Sequence, residues 1–543
     1  MGARDAGTFD YVVVGAGSAG AALAHRLSED PSRSVVLLEA GGADTNQSLH
    51  IPAAFSSLFK SEFDWNYETV PQPELAGRTV YWPRGKVLGG SSSINAMMWV
   101  RGFAADYDRW AELAGPAWSY ESLVPTFRKI ENVQDATDPE HGTDGPMRVE
   151  AQRDPRRLTG AFLRAATEAG YPLVPANSRR PEGFSQTMVS ETKGARHSTA
   201  DGYLKPARER ANLTVRTGSH ATRVVFEGTR AVGVEYVADG EVRRATARNE
   251  VVLSGGAVNT PQLLMLSGVG DASQLAGLGI DVVSHSPEVG ANLRDHLMSL
   301  FVVETGPGSL MSATTLPELG KYLLRRRGML TSNVGEAYGF VRSHESLDLP
   351  DVEIIYAPVA YVDEGLAGIP GHGQSIGPVL VAPKSTGTIT LASADPFDKP
   401  VIDPRYLSDP EGADRAALLS GLVIADRILS APSLAALTTG RYLRPANGEG
   451  MSLAERAEAS LVSTAHTLYH PTSTVRMGTD GAAPVDGELR VRGVQGLRVA
   501  DASVMPEIIR GHTNAPSIVI GEKAAELVLA DERRGAARQG SAA

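Results

Sequence analysis

A glycine-rich turn near the start of the chain constrains the fold more than any other feature. An apolar run from Phe9 to Val14 leads into residues 15–20, which read GAGSAG, and an Ala/Leu-rich stretch follows to about Ser28. A second apolar run then ends on the acid Glu39. This order of strand, glycine motif, helix and strand predicts a βαβ unit that binds a dinucleotide within an α/β fold.

The spacing within this unit gives each residue a physical role. Gly15 permits the tight turn, Gly17 permits close approach of a pyrophosphate, and Gly20 permits close packing of the helix. Glu39 follows Gly15 by 24 residues, where a carboxylate can accept hydrogen bonds from ribose hydroxyls. An ordinary glycine-rich turn would not be followed by a helix, a second strand and an acid at this spacing. Dinucleotide binding is therefore favoured, with NAD and FAD both open at this point because both use this fold.

The rest of the chain indicates two interleaved domains. Strand-like runs between 212 and 254 predict a small antiparallel unit that returns to the main sheet, and residues 412–430 predict an amphipathic helix. The segment Leu497–Asp501 and the helix predicted from about Asn514 return to the first pattern. We therefore expect a Rossmann-like dinucleotide domain assembled from discontinuous segments, with the middle region of the chain as a second domain.

The predicted boundaries follow from these patterns. Residues 1–150, 200–297 and 480–543 form the dinucleotide domain, and residues 151–199 and 298–479 form the second domain. Residues 41–84 are irregular and predict a lid or binding loop. The polar residues 531–543 predict a disordered tail.

Composition excludes several classes of function. The chain has 543 residues and no cysteine, so disulfides, thiolate metal sites and cysteinyl flavin links are excluded, and redox chemistry requires a cofactor. A formal net charge of −11 disfavours nucleic acid and anionic membranes as partners. No apolar run approaches the roughly eighteen residues of a membrane span, and no signal-peptide pattern is present, so we expect a cytoplasmic protein.

Two further segments have distinctive patterns of glycine and polar residues. Residues 85–95 read GKVLGGSSSIN, and residues 256–270 read GAVNTPQLLMLSGVG. Both resemble the signature patterns of the glucose-methanol-choline (GMC) oxidoreductases, in the branch of the choline dehydrogenases and alcohol oxidases. The resemblance extends from about Thr8 to Leu529 and includes NLRDH at 292–296, PKSTG at 383–387, YHP at 469–471 and ADAS at 500–503.

This resemblance implies an α/β fold in which a Rossmann-like FAD-binding domain is joined to a discontinuous α+β substrate domain, the second domain above, whose antiparallel sheet covers the flavin. The matching positions are Glu39 at the adenosine ribose, Gly15, Gly17 and Ser18 at the pyrophosphate, Gly90, Asn95 and Ala96 at the flavin ring, Val224 at the adenine, and Asp501 and Ala502 at the phosphates and ribityl chain. Some relatives tether the flavin through a histidine in the first signature, where this chain reads Ser93-Ile94-Asn95. We therefore predict non-covalent FAD.

The resemblance also assigns a catalytic pair. An alcohol loses hydride more easily as its hydroxyl proton leaves, so the site needs a base whose pKa lies near the working pH. The matching residues are His470 as this base and Asn514 as the donor that orients the alcohol oxygen, with the hydride passing to flavin N5. His512 lies two residues before Asn514, and we expect a secondary role for it at most.

A zinc site is the alternative reading of one histidine pair. His466 and His470 are four residues apart, the spacing of two zinc ligands on a helix. Thr467 stands where a metalloprotease has its general base, and Pro471 interrupts the helix. We therefore predict no metal.

Glu336 is a candidate substrate ligand. It resembles a substrate-domain glutamate that faces the cation in choline-oxidising relatives, where aromatic faces assist binding. A structural acid is the favoured alternative, because no aromatic cage can be traced in the sequence.

The sequence thus predicts FAD-dependent oxidation of a small alcohol to an aldehyde or ketone, with oxygen, a quinone or a protein as electron acceptor. A lyase or light-driven decarboxylase on the same scaffold is the alternative, and a non-catalytic FAD-binding protein ranks last. The presence of both His470 and Asn514 favours oxidation. The sequence leaves the particular alcohol, the acceptor and the oligomeric state open.

Overall fold

Two seven-stranded sheets organise the protein. The computed structural model describes residues 3–542, with side chains as far as Gly535. The strands of the two sheets, numbered in chain order, are β1 (Arg4–Val14), β2 (Val35–Leu38), β3 (Leu213–Arg216), β4 (His220–Glu227), β5 (Arg230–Ala238), β6 (Glu241–Leu253), β7 (Leu297–Met298), β8 (Phe301–Thr305), β9 (Ala337–Val341), β10 (Val352–Ala357), β11 (Gly373–Leu380), β12 (Thr438–Arg444), β13 (His466–Thr467) and β14 (Leu497–Val499).

The first sheet has the strand order β3–β2–β1–β6–β5–β4, and β14 also pairs with β6. The pairs among β1, β2, β3, β6 and β14 are parallel, whereas β4, β5 and β6 pair antiparallel. Strand β2 reads VVLL and all of it is buried, as expected for a parallel strand covered on both faces. The carboxyl ends of β1, β2, β6 and β14 therefore meet at one edge of the sheet.

Helices cover both sheets. They are α1 (Ser18–Leu27), α2 (Ala104–Ala114), α3 (Tyr120–Ile130), α4 (Arg157–Glu168), α5 (Lys205–Ala207), α6 (Gly256–Leu266), α7 (Ala272–Gly277), α8 (Leu316–Arg325), α9 (Ala413–Leu429), α10 (Pro432–Ala435), α11 (Leu453–Thr464) and α12 (Asn514–Ala542). Helices α1 and α12 touch backbone to backbone, since a Cβ on Gly521 would lie 2.3 Å from the carbonyl oxygen of Ala19.

The second sheet is antiparallel, with the order β9–β10–β11–β7–β13, and β8 joins β11 to β12. Side chains alternate across β10. Ile354 and Tyr356 enter the core with residues of α9 such as Leu418, whereas Ile355 and Ala357 line a cavity on the other face. This sheet therefore has a helix-covered face and a cavity face.

The predicted lid region is irregular, as its composition indicates. It contains the 3₁₀ helices Gln47–His50, Pro52–Leu58 and Pro73–Leu75 and a two-residue strand pair, Tyr67–Glu68 with Tyr81–Trp82. The remaining short strands are Glu131–Val133, Met147–Ala151, Gly183–Gln186, Met188–Val189, Glu191–Thr192, Ala195–Arg196, Val269–Gly270, Ser284–His285, Thr388–Thr390 and Val401–Asp403. Within residues 3–542, no helix combines the length and apolarity needed to cross a bilayer.

The prediction of a disordered tail was wrong for residues 531–535. Helix α12 continues through them, because Asp531 accepts a hydrogen bond from Arg490 at 2.7 Å and also pairs with the buried Arg498. Glu532 likewise accepts from Arg33 at 2.8 Å. These contacts with distant residues outweigh the polar, small composition on which the prediction rested. The side chains of residues 536–543 lie outside the described residues.

Candidate active site

A cavity of about 290 Å³ is lined by residues from both sheets. Part of its wall comes from the residues that follow the parallel strands: Gly15 after β1, Glu39 after β2, Ser254 after β6 and Asp501 after β14. In an open α/β sheet, ligands bind at this carboxyl edge. The cavity therefore occupies the position that the fold offers to a dinucleotide.

The glycines of the first motif allow backbones to touch. A Cβ on Gly15 would lie 2.4 Å from the carbonyl oxygen of Ser254, and a Cβ on Gly20 would lie 1.9 Å from that of Gly15. Gly17 faces the cavity opposite Gly90, whose φ of +53° suits glycine and whose Cβ would lie 2.7 Å from the Gly17 Cα. The two glycine-rich segments thus form one cradle, and Gly20 serves helix packing instead of lining the cavity.

Glu39 lies at the end of β2 and is 5% exposed. Its carboxylate accepts hydrogen bonds from the backbone N–H of Ala16 at 2.9 Å and of Gly41 at 2.8 Å. Burial raises the pKa of Glu39 to about 7, although both backbone hydrogen bonds act to lower it. The backbone hydrogen bonds therefore hold the carboxylate in the cavity wall. Its ionised form is unfavourable unless a ligand supplies a further hydrogen-bond donor.

Asp501 and Ala502 line the cavity beside the first turn of α6. One carboxylate oxygen of Asp501 accepts from the backbone N–H of Gly256 at 2.9 Å and from the hydroxyl of Thr260 at 2.6 Å. The other accepts from the backbone N–H of Ser503 at 2.8 Å. Burial raises the pKa of Asp501. Asp501 thus links the end of β14 to the start of α6 by hydrogen bonds and forms part of the cavity wall.

Asn95 and Ala96 also line the cavity, next to the 3₁₀ helix Gly90–Ser93. The side-chain oxygen of Asn95 accepts from the backbone N–H of Met97 at 3.0 Å and from the guanidinium of Arg196 at 2.7 Å. Arg196 is buried and also donates to the carbonyl oxygen of Leu49 at 2.7 Å. Sequence reasoning missed Arg196, because it lies about a hundred residues from the segment that it holds, and no local spacing marks it.

His470 and Asn514 both line the cavity. The His470 backbone N–H donates to Asp295 at 2.8 Å, and its ring Nδ1 lies 3.0 Å from Nδ1 of His296. Burial is the main cause that lowers the pKa of His470 well below its usual value, followed by the charge of His512. Asn514 begins α12, and its side-chain oxygen accepts from the hydroxyl of Ser18 at 2.8 Å. This contact joins the candidate catalytic pair to the glycine motif.

His512 lies closer to His470 than the sequence indicates. Its ring centroid is 4.8 Å from that of His470, and it also lines the cavity. Its Nε2 lies 3.1 Å from an oxygen of the fully buried Glu353. A lone histidine in a turn gives no sequence signal for such a partner, because Glu353 belongs to β10, 159 residues away.

Besides Gly20, the predicted site residues Val224 and Glu336 lie outside the cavity wall. The backbone N–H of Val224 donates to the hydroxyl of Ser267 at 2.8 Å and its side chain joins the first core, whereas Ala221 of the same strand lines the cavity. The carboxylate of Glu336 accepts from Ser332 at 2.7 Å, from the backbone N–H of Arg156 at 2.7 Å and from Thr159. This geometry favours the structural alternative for Glu336.

The described residues fit FAD. The glycine cradle would be filled by side chains in place of these glycines, a buried carboxylate ends the second strand, and the cavity continues from there to the second sheet. Such a cradle suits a pyrophosphate, and the carboxylate suits a ribose. Among residues 3–542, no cluster of three or more His, Cys, Asp or Glu side chains is arranged to hold a metal ion.

Comparisons with known proteins agree with this geometry. Family profiles described as GMC oxidoreductase match residues 9–298 and 383–521. An uncharacterised GMC-type oxidoreductase of Mycobacterium tuberculosis is 59% identical over 96% of this chain and 99% of its own length. The alcohol dehydrogenase [acceptor] of Pseudomonas putida is 42% identical over 96% of both chains. The mitochondrial choline dehydrogenase of Homo sapiens is 41% identical over 96% of this chain and 89% of its own.

Solved structures show the same fold. Pyridoxine 4-oxidase from Mesorbium loti superposes with a TM-score of 0.86 at 31% identity, covering 95% of this chain and 98% of its own. Formate oxidase from Aspergillus oryzae RIB40 superposes with a TM-score of 0.89 at 27% identity, covering 98% and 100%. The chain belongs to the GMC oxidoreductase family, as an FAD-dependent oxidoreductase that acts on CH–OH donors.

Proposed function

We propose that this protein oxidises an alcohol to an aldehyde or ketone, with His470 as the base that takes the hydroxyl proton. The supporting observation is that His470 and Asn514 line the same cavity as the glycine cradle and Glu39. Bound FAD supplies the acceptor for the hydride that leaves the alcohol carbon. The O–H proton passes to His470, the C–H bond breaks with both its electrons, and a C=O bond forms.

The contact between the rings of His470 and His296 is compatible with this role. For Nε2 to accept a proton, Nδ1 must carry the ring hydrogen, and Nδ1 then donates to Nδ1 of His296. His296 is fully buried, and burial lowers its pKa to about 3, so it stays neutral and can accept. Asp295 fixes the backbone of His470. In this tautomer the neutral His470 ring leaves Nε2 free to accept the hydroxyl proton.

Asn514 supplies a complementary donor. Because its side-chain oxygen accepts from Ser18, its amide nitrogen is left to donate hydrogen bonds. An amide donor toward the alcohol oxygen orients the substrate and stabilises the negative charge that develops as the proton leaves. His470 and Asn514 thus act on the same oxygen, one by accepting a proton and the other by donating a hydrogen bond.

We also propose how the chain holds FAD. Gly15, Gly17 and Ser18 bind the pyrophosphate, and Glu39 binds the adenosine ribose, where the ribose hydroxyls would supply the donors that favour its ionised form. Gly90, Asn95 and Ala96 bind near the flavin ring, and Asp501 and Ala502 bind the phosphates and ribityl chain. At the adenine, Ala221 replaces Val224 in the proposal, because Ala221 lines the cavity. The binding is non-covalent, since Ser93-Ile94-Asn95 and the absence of cysteine leave no side chain of the tethering type there.

The test is anaerobic absorbance of the purified holoenzyme on addition of alcohols in the dark. We expect the flavin band to bleach in the wild type, and to bleach about a hundredfold to ten-thousandfold more slowly in His470→Ala, because a positioned base contributes this much. His344→Ala is the matched control, since His344 is exposed on the surface. Near-normal bleaching in His470→Ala would reject this base.

The same experiment addresses the alternative activity. A lyase or photodecarboxylase would keep its flavin oxidised when substrate is added in the dark. Admission of air then separates the electron acceptors, because fast recovery of the oxidised band indicates an oxidase and slow recovery a dehydrogenase that uses a quinone or protein.

A further inference from the structure

An aromatic cluster forms the cavity wall beside His470. Phe55, Phe59, Tyr361 and Tyr469 all line the cavity. The rings of Phe59 and Tyr469 are 5.6 Å apart, those of Phe55 and Tyr361 are stacked at 6.4 Å, and those of Phe55 and Phe59 are 5.7 Å apart. Tyr469 directly precedes His470 in the chain and both line the cavity, so the aromatic cluster is part of the wall available to a substrate of His470.

Apolar side chains continue this wall. Met97 and Met98 line the cavity from the segment after the second glycine motif, and Leu300, Ile355 and Leu468 line it from the second sheet and its adjoining loops. Met97 and Leu300 are nearly fully buried. Methionine adapts its shape to an irregular apolar ligand. The wall around the aromatic cluster therefore offers dispersion contacts and apolar burial.

The polar side chains of this wall bond mainly to one another or to the backbone. The hydroxyls of Tyr361 and Tyr469 lie 3.0 Å apart and bond to each other. The hydroxyl of Ser375 donates to the carbonyl oxygen of Val359 at 2.8 Å and accepts from the backbone N–H of Tyr361 at 2.9 Å. A polyol placed here would lose hydrogen bonds to water without equal replacements.

The charges of the cavity wall disfavour a cationic substrate. Glu39 and Asp501 are the carboxylates among the described lining residues, and both belong to the nucleotide edge of the first sheet. Glu336 and Glu353 do not line the cavity, but Arg84 does. The guanidinium of Arg84 donates a hydrogen bond to the carbonyl oxygen of Tyr469 at 2.6 Å. A quaternary ammonium group beside the aromatic cluster would gain cation–π contacts with the rings, but it would also lie near the Arg84 guanidinium with no facing carboxylate among the described lining residues.

We infer that the substrate is an uncharged alcohol whose chain or ring is apolar, and that the aromatic cluster selects it over quaternary ammonium alcohols and polyols. This inference rests on the proposed function of the same cavity. Binding strength should rise with apolar length, because each buried methylene adds a constant increment of transfer free energy.

The first test compares rates of anaerobic flavin reduction by 1-butanol, 1-hexanol, 1-octanol, benzyl alcohol, choline and glycerol. We expect the second-order rate constant to rise by up to about fourfold per methylene from butanol to octanol, and choline and glycerol to react at least about tenfold more slowly than octanol. Faster reduction by choline or glycerol than by octanol or benzyl alcohol would overturn the inference and leave the proposed function standing.

The second test measures binding without chemistry. A tertiary alcohol has no hydrogen on its carbinol carbon, so 2-methyl-2-octanol and 2-methyl-2-butanol report apolar binding to the holoenzyme by calorimetry whether or not any alcohol is oxidised. We expect the longer alcohol to bind more tightly, by at least tenfold. Equal affinities would reject the inference, whereas tighter binding of the longer alcohol without flavin reduction by any alcohol would reject the proposed function alone.

A variant locates the selectivity. Phe59→Ser should reduce the ratio of the octanol rate to the butanol rate about tenfold, and Leu324→Ser should leave it unchanged, because Leu324 is 85% exposed on α8. If FAD-loaded Phe59→Ser keeps the wild-type ratio of the octanol rate to the butanol rate, the aromatic cluster does not select the substrate. If that variant does not retain FAD, the two wild-type series still decide the substrate class.

Discussion

At the scale of single residues, the environment of His470 sets its protonation state. Burial lowers its pKa most, and the nearby His512, His296 and Arg84 lower it further. Of these neighbours, His512 and Arg84 disfavour a second positive charge in the same enclosed space. The lowered pKa keeps the imidazole neutral and unprotonated in neutral and mildly acidic solution, but it departs from the expected pKa near the working pH and makes His470 a weaker base. His512, which pairs with the buried Glu353, thereby influences the protonation state of His470.

This arrangement predicts the pH dependence of flavin reduction. The rate should show no loss near pH 6.5, where an unperturbed histidine would protonate, and should fall only at lower pH. His512→Asn should raise the pKa of His470 by removing a repelling charge, and should move the acid limb to higher pH, whereas His344→Asn should not. Stopped-flow reduction across pH measures both. A wild-type inflection at pH 6.5 would contradict this account of the environment.

At the scale of elements, two glycine-rich segments must touch for the nucleotide edge to form. The turn before α1 meets the 3₁₀ helix Gly90–Ser93 through Gly17 and Gly90. The second segment is itself folded tightly, since a Cβ on Gly85 would lie 2.2 Å from the carbonyl oxygen of Gly90. A side chain at this junction cannot be accommodated by rotation of a flexible neighbour, because the atoms it would meet are backbone.

Gly90→Ala should therefore impair FAD retention. Its Cβ would lie 2.7 Å from the Gly17 Cα, and the residue has a φ of +53°, so the two segments must separate. Overpacking of this kind costs about 1–3 kcal/mol, which corresponds to roughly fivefold to hundredfold weaker binding. Gly277→Ala is the control, because its Cβ would meet open space. The flavin-to-protein absorbance ratio after gel filtration measures retention, and equal ratios for both variants would refute the proposed cradle.

At the scale of the whole molecule, the cavity is assembled from distant parts of the chain. Its lining residues include Gly15, Glu39, Ile355, His470 and Asn514, and they come from both sheets. A ligand that contacts all of these segments binds the folded chain and not the unfolded one. FAD should therefore stabilise the protein as a unit.

Removal of FAD should lower the unfolding temperature, and the temperature should depend on FAD concentration. At about a hundredfold excess over Kd the stabilisation is about 2.7 kcal/mol. Glu39→Ala should shrink this FAD-dependent increase, because it deletes the proposed ribose ligand. Glu209→Ala should not, since the Glu209 side chain is 85% exposed. Scanning calorimetry at several FAD concentrations measures the effect. An unfolding temperature independent of FAD would argue against the site.

The sequence by itself determined the features that depend on local chain geometry. The turn around Gly15, the strand ending before Glu39 and the helix beginning at Asn514 follow from spacing, because turn and helix-start preferences act over a few residues. The family resemblance added the two-domain fold and FAD, which the comparisons confirm. The domain boundaries and the catalytic roles of His470 and Asn514 stay predictions.

Only the tertiary structure decided which side chains meet across long separations. It placed His296 and His512 against His470, brought Ala221 instead of Val224 to the cavity, and enclosed Glu336 among three donors outside it. It also joined Phe59 to Tyr469 in one aromatic wall. These contacts depend on sheet pairing and on packing between the sheets, and neither leaves a periodic signal in the sequence.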